Sequence, residues 1–316
     1  MSVFAPGKLV LTGAYAVLHG APATVVATSR GAIADAHRAA PSATPEVRAA
    51  LGDSGAPHVD ASSMFVGGRK LGLGASAAIL VASVAARDVE RGADISSAET
   101  RALLFARARK AHAEAQSGGS GVDVAASVHG GALAYRIDGG ATAITLPPRL
   151  RLSVFACGTS ARTSDLRAEV SRLAASQPKM HASCMDAISA ASQQALDACA
   201  NAELGSFVAA IDATAHALDA LGEAAGVGIV PQGFVALADL ARAESAAFSV
   251  SGAGGGDVAV FVGEAAPSPT FLERAKALGL FLLPLDLDEK GVRIVSRTAT
   301  RPSDDVTSPE MLPLRS

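Results

Sequence analysis

Ten residues, RKLGLGASAA at 69–78, carry the clearest chemical signature in this chain. Gly72, Leu73, Gly74, Ala75, Ser76 and Ala77 lead into an apolar run that reads as a helix from Ser76 to about Val89. Small residues let the backbone close around a phosphate, and a helix start offers unpaired N–H groups at the positive end of its dipole. Taken alone, the string also suits a plain turn, and Ser76 suits an ordinary helix N-cap. Two further segments add weight: APGKLVLTGAYAVLHG at 5–20 and SGAGGGDVAVFV at 251–262. In the latter, only Ala253 bears a side chain between Gly252 and Gly256, which implies close backbone approach by a ligand or by the chain.

Charged residues near these loops are the next candidates. Of 27 basic residues only six are lysines, so a lysine marks a place where a compact ammonium suits and a planar guanidinium does not. Lys8, Lys70 and Lys110 lie in or beside the motifs. Asp123, in SGVD, could accept or orient a proton at an attacking oxygen, or simply open a helix. The seven histidines show no metal-ligand spacing.

In this order the three segments resemble the motifs of the GHMP small-molecule kinases, the family of galactose, homoserine, mevalonate and phosphomevalonate kinases. The resemblance covers nearly the whole chain. It implies ATP and Mg²⁺ as cofactors, with Lys70 and Gly72 to Ala77 around the nucleotide. Ser76 would then be a Mg²⁺ ligand, and Glu114 the nearest acid for a second. It implies Asp123 and Lys8 as the catalytic couple, and contacts to the acceptor from Tyr15, His19, Ser120, Gly121, Arg162, Ser251, Gly252, Ala253 and Gly254. Three details resemble the phosphomevalonate-kinase branch: GGGD ending at Asp257, AHAEAQSGGSGVDVAASVHGG at 111–131, and Lys70 with GTSARTSDL at 158–166. Phosphorylation of (R)-5-phosphomevalonate is the implied reaction. Mevalonate kinase or another alcohol kinase of the family is the alternative, and an inactive metabolite-binding relative is the second. The chain departs from the family pattern at Ala14 (usually Glu), Ala75 (usually Ser), His112 (Glu in mevalonate kinases) and Ser249 (often Lys).

The elements that must position these residues follow from composition and pattern. At 316 residues the chain suits two domains. Its apolar fraction is 49%, much of it alanine and none of it tryptophan, so the core is built from small side chains on many helices. A net charge of −3 without basic runs excludes nucleic acid as a partner. No uncharged apolar run reaches membrane-spanning length, and no signal-peptide pattern opens the chain. Three cysteines without CxxC spacing point to a reduced, cytosolic protein. The partners expected are small molecules, with a monomer or a homodimer as the assembly.

The pattern is α+β. Residues 2–36 read as antiparallel strands, 38–56 as a surface excursion, and Ser96 with Glu99 as a capping box opening a helix to about Gln116. A strand follows at 132–136, a new strand starts at Leu152, and 164–247 is mostly helical. A strand at 258–262, a helix near 270–278 and strands near 280–284 and 292–295 form a βαβ-like end. The division expected is 1–148 and 149–299, with a flexible tail at 300–316. By resemblance, the first unit is similar to a ribosomal-protein domain and the second to a ferredoxin, with the site in the cleft between them.

Overall fold

The computed structural model describes residues 1–52, 55–157 and 163–296. The chain opens with two long strands, β1 (Ser2–Thr12) and β2 (Ala23–Ala39), paired antiparallel. Near-continuous apolar runs such as Leu9-Val10-Leu11 and Val25-Val26-Ala27 suit strands buried on both faces, and ten of the 11 residues of β1 are buried. Also on this sheet are β3 (Pro57–Asp60), β6 (Ala132–Arg136), β7 (Gly140–Ile144) and β12 (Arg293–Val295), in the order β12-β1-β2-β6-β7 with β3 beside β2. A short hairpin of β4 (Phe65–Val66) and β5 (Arg69–Lys70) leads into the glycine loop.

Helices α1 (Pro45–Leu51), α2 (Ala75–Glu90), α3 (Ala98–Ala115) and α4 (Val122–His129) accompany this sheet. Twelve of the 16 residues of α2 are buried, as expected of a helix that is apolar nearly all round. Alanine lets α2 approach β1 and β2 closely, and Leu80, Val81 and Val84 fill the remaining space at about 1.5–3 kcal/mol each. Arg107 on α3 donates to both carboxylate oxygens of Asp88 on α2, at 2.8 and 2.9 Å, fixing the two helices.

A second antiparallel sheet has the order β11-β8-β10-β9, from β8 (Arg151–Cys157), β9 (Ala247–Val250), β10 (Val258–Gly263) and β11 (Leu280–Leu283). It packs with α5 (Thr163–Ser176), α6 (Pro178–Ala200), α7 (Leu204–Ala225), α8 (Phe234–Ala243) and α9 (Pro269–Ala277). Phe155, Phe234, Phe248, Phe261 and Phe271, half of the chain's ten phenylalanines, form a chain of tilted and edge-on ring contacts there. By length and composition α7 could cross a membrane. Its Phe207, Ile211, Leu218 and Leu221 are instead buried against α6 and β9.

Four sequence expectations change. The cap of α3 is Ser97, whose hydroxyl accepts from Thr100 N at 3.1 Å, while Ser96 donates to Asp94. Ser76 is not an N-cap: Gly74 holds that position in the left-handed conformation, and Ser76 is the second helical residue. The 38–56 stretch contains α1, capped by Thr44 and preset by Pro45, with Glu46 buried. β12 does not join the second sheet: it leaves the βαβ-like end and returns to β1, registered Phe4 to Arg293.

Candidate active site

The three motifs meet at the start of α2, held by β1. The Lys8 amide donates to Leu73 O at 2.8 Å and its ammonium to Gly72 O at 3.1 Å. Gly72 and Gly74 have φ of +72° and +78°. A Cβ on Gly72 would lie 2.5 Å from Asp257 Cβ, and one on Gly74 3.0 Å from Lys8 Cγ and 3.6 Å from Asp123 Cβ. Glycine is therefore needed at both positions for conformation and for room. The loop before β10 is tied to β1 as well: Val10 N donates to Ser251 Oγ at 3.0 Å, and Gly252 N to Val10 O at 3.3 Å. Tyr15, itself at φ +64°, donates its hydroxyl to Ala253 O at 2.7 Å.

These contacts enclose a cavity of about 380 Å³. From the first motif it is lined by Lys8, Ala14 and Tyr15, and from the glycine loop by Lys70, Gly72, Gly74, Ala75 and Ser76. Ser120, Gly121, Asp123, Gly252, Ala253 and Asp257 complete the part the sequence pointed to. Both α2 and α4 begin at the cavity behind left-handed glycines, Gly74 and Gly121. The first turn of α2 offers its N–H groups to that space, whereas in α4 Val122 N donates to Ser120 Oγ at 3.3 Å and Val124 N to the Asp123 carboxylate. The loop before α4 is fixed by Tyr135, whose hydroxyl donates to Ser120 O.

The electrostatics centre on Lys8. Burial pushes its pKa below the ordinary lysine value, and the carboxylates of Asp123 and Asp257 partly restore it. Asp123 Oδ1 accepts from Val124 N at 2.9 Å, and its Oδ2 lies 3.5 Å from His112 Nε2. Burial raises the pKa of the Tyr15 hydroxyl, against the opposing field of Arg167, so Tyr15 stays a donor.

Several expected residues lie elsewhere. Leu73 and Ala77 are core residues. Ser251 is buried on Val10, and Gly254 sits where a Cβ would be 2.2 Å from Ile229 O. His19 turns from the cavity to stack edge-on with His181. Glu114 is exposed beside Lys110, at 4.0 Å; two positions along α3 from His112, it faces the opposite side of the helix and cannot serve a metal in the cavity. Arg162 lies outside the described residues, as does most of the 158–166 string. Conversely, His112, Gln116 and Arg167 line the cavity. No local pattern marks Arg167, one arginine of 21 on an amphipathic helix.

No protein-family model matches the chain. Over 258 residues, it is 30% identical to the phosphomevalonate kinase of Streptomyces sp. (strain CL190), covering 73% of this chain and 68% of that protein. This chain belongs to the GHMP kinase family. The GHMP fold is seen again in solved structures. Streptococcus pneumoniae phosphomevalonate kinase in complex with phosphomevalonate and AMPPNP superposes with a TM-score of 0.74 at 17% identity, over 91% of this chain and 99% of that one. L. major mevalonate kinase in complex with R-mevalonate gives 0.64 at 20% identity, over 88% and 94%.

Proposed function

We propose that this GHMP kinase transfers the γ-phosphoryl group of ATP to (R)-5-phosphomevalonate, giving 5-diphosphomevalonate and ADP. The observation that carries the reading is the placement of the Lys8 ammonium between the phosphate loop, at Gly72 O, and the Asp123 and Asp257 carboxylates, within a cavity onto which two helix starts open. Support for the acceptor comes from the similarity to the Streptomyces enzyme and from the cations Lys8, Lys70 and Arg167 along one cavity, which suit an acceptor with a phosphate and a carboxylate.

In this reading the triphosphate lies in the cradle of Gly72 and Gly74 against the first turn of α2. The site also suits Mg²⁺. Among the described residues no cluster of His, Cys, Asp and Glu could hold a metal by itself. The Ser76 hydroxyl and the Asp123 and Asp257 carboxylates nevertheless give oxygen donors to a cation shared with phosphate oxygens. Bound there, Mg²⁺ would neutralise charge on the transferring group. An oxygen of the acceptor phosphate attacks the γ-phosphorus, the bond to the ADP oxygen breaks, and Lys8 offsets the charge on the equatorial oxygens. A phosphate with a second pKa near 6 is already largely dianionic at pH 7, so Asp123 orients the acceptor and pairs with Lys8 without removing a difficult proton. The three free thiols Cys157, Cys184 and Cys199 suit a reducing, cytoplasmic setting.

The second reading, mevalonate kinase, is favoured by one observation: a carboxylate beside an ammonium in this cavity could equally serve as base toward an alcohol. ADP release with ATP, Mg²⁺ and either mevalonate or its 5-phosphate decides. Release with the 5-phosphate supports the proposal, and release with mevalonate alone replaces it. Thermal stabilisation by ligands without ADP marks a binding protein.

A further inference from the structure

His112 is 4% exposed, lines the cavity from α3, and presents Nε2 toward Asp123 Oδ2 at 3.5 Å. That nitrogen is buried and makes no hydrogen bond among the described residues. A buried donor left unpaired is rare, which makes the atom at this position informative. Two carboxylates at such a distance would repel unless a metal or a proton stood between them. An imidazole donor attracts Asp123 without either.

We propose that His112 is a positioning residue for phosphoryl transfer, holding the Asp123 carboxylate through Oδ2 in the rotamer that faces Lys8. Val124 N already fixes Oδ1 at 2.9 Å, so the imidazole supplies the second restraint. Hydrogen bonds of this kind are often long in unliganded enzymes and shorten when substrate orders the site. The other side of His112 is braced too. Its field reaches Glu46 on α1, and Glu46 accepts from Gln116 Nε2 at 3.1 Å. Burial pushes the Glu46 pKa up, but its own backbone amide, Gln116, Thr44 and His112 outweigh that and leave the group ionised. The segment 45–51 thus reaches the site through Glu46, Gln116 and His112 without lining the cavity itself.

The inference rests on the kinase reading, and its test separates the two. His112→Leu removes the donor at similar volume, and His112→Gln returns one at the reach of Nε2. We expect His112→Leu to lower kcat about 10- to 100-fold, the range for loss of a group that orients a functional side chain. The KM for ATP should change less than about twofold, and His112→Gln should recover most of the rate. Should the Leu variant fail to fold, His112→Asn against His112→Gln gives the same comparison, since only Gln reaches Oδ2. A cycle with Asp123→Ala, followed by single-turnover ADP formation and by urea unfolding, reads the coupling directly. Non-additive losses support the proposal. A His112→Leu loss as large in the Asp123→Ala background as in the parent overturns it, as does a loss confined to the KM for ATP. If the parent turns over neither acceptor, or the Asp123→Ala rate is undetectable, the urea cycle decides alone, with coupling in support and additivity against. In the first of these cases the kinase reading falls independently.

Discussion

The ammonium of Lys8 donates to the carbonyl of Gly72 at 3.1 Å, joining the first strand to the glycine loop 64 positions later. A cation held by a loop carbonyl on one side and faced by Asp123 and Asp257 on the other cannot move far when charge develops beside it. Such fixed charge needs little reorganisation during reaction.

Lys8→Met should therefore lower kcat about 10²- to 10³-fold, the loss typical of one transition-state donor. The circular dichroism spectrum should remain that of the parent. Steady-state ADP release measures the loss.

The same lysine sets a pH dependence. Burial disfavours its charged form, so the proton leaves at lower pH than the ordinary 10.5, and activity that needs the ammonium falls as pH rises through that lowered value. A kcat–pH profile should show an alkaline limb below 10.5. The residual activity of Lys8→Arg, whose guanidinium keeps its proton, should lack it.

Asp123→Asn should cost less than about 10⁴-fold in kcat, the upper range for general-base help, because a phosphate acceptor brings its own negative charge. A larger loss would point to an alcohol acceptor. Comparing parent and variant with the 5-phosphate measures this.

Arg167 is a half-buried guanidinium on the cavity wall, without an acid within ion-pair distance among the described residues. Arg167→Gln should raise the acceptor KM about 10- to 100-fold, as expected for a charge-assisted hydrogen bond of about 1.5–3 kcal/mol. The KM for ATP should stay unchanged. Initial rates varied in each substrate separate the two.

Gly74→Ala places a Cβ 3.0 Å from Lys8 Cγ at a φ of +78°. The left-handed conformation alone costs roughly 1–2 kcal/mol for a residue with a Cβ. Urea unfolding should show that loss, and the displaced Lys8 should lower kcat as well.

Much of the site was readable in the sequence because its parts are backbone features. Gly72, Gly74 and Gly252 announce loops, and Lys8 and Asp123 stand inside them. Local signals could not show which side chains on long helices turn inward. His112 and Glu114 are two residues apart on α3; one is buried beside Asp123 and the other is in solvent, and only the packing of α1 and α2 against α3 decides which. Arg167 was invisible for the same reason, since its place depends on α5 lying across the cavity. The return of β12 to β1 is a pairing across nearly the full chain length, which no short window carries.

Phosphorus NMR of the reaction tests the central claim most directly, because it identifies the bond formed. With ATP, Mg²⁺ and (R)-5-phosphomevalonate, the phosphomonoester singlet should fall while a coupled pair of diphosphate doublets grows in step with ADP. An unchanged singlet, with ADP appearing only alongside inorganic phosphate or only when mevalonate is supplied, would contradict it.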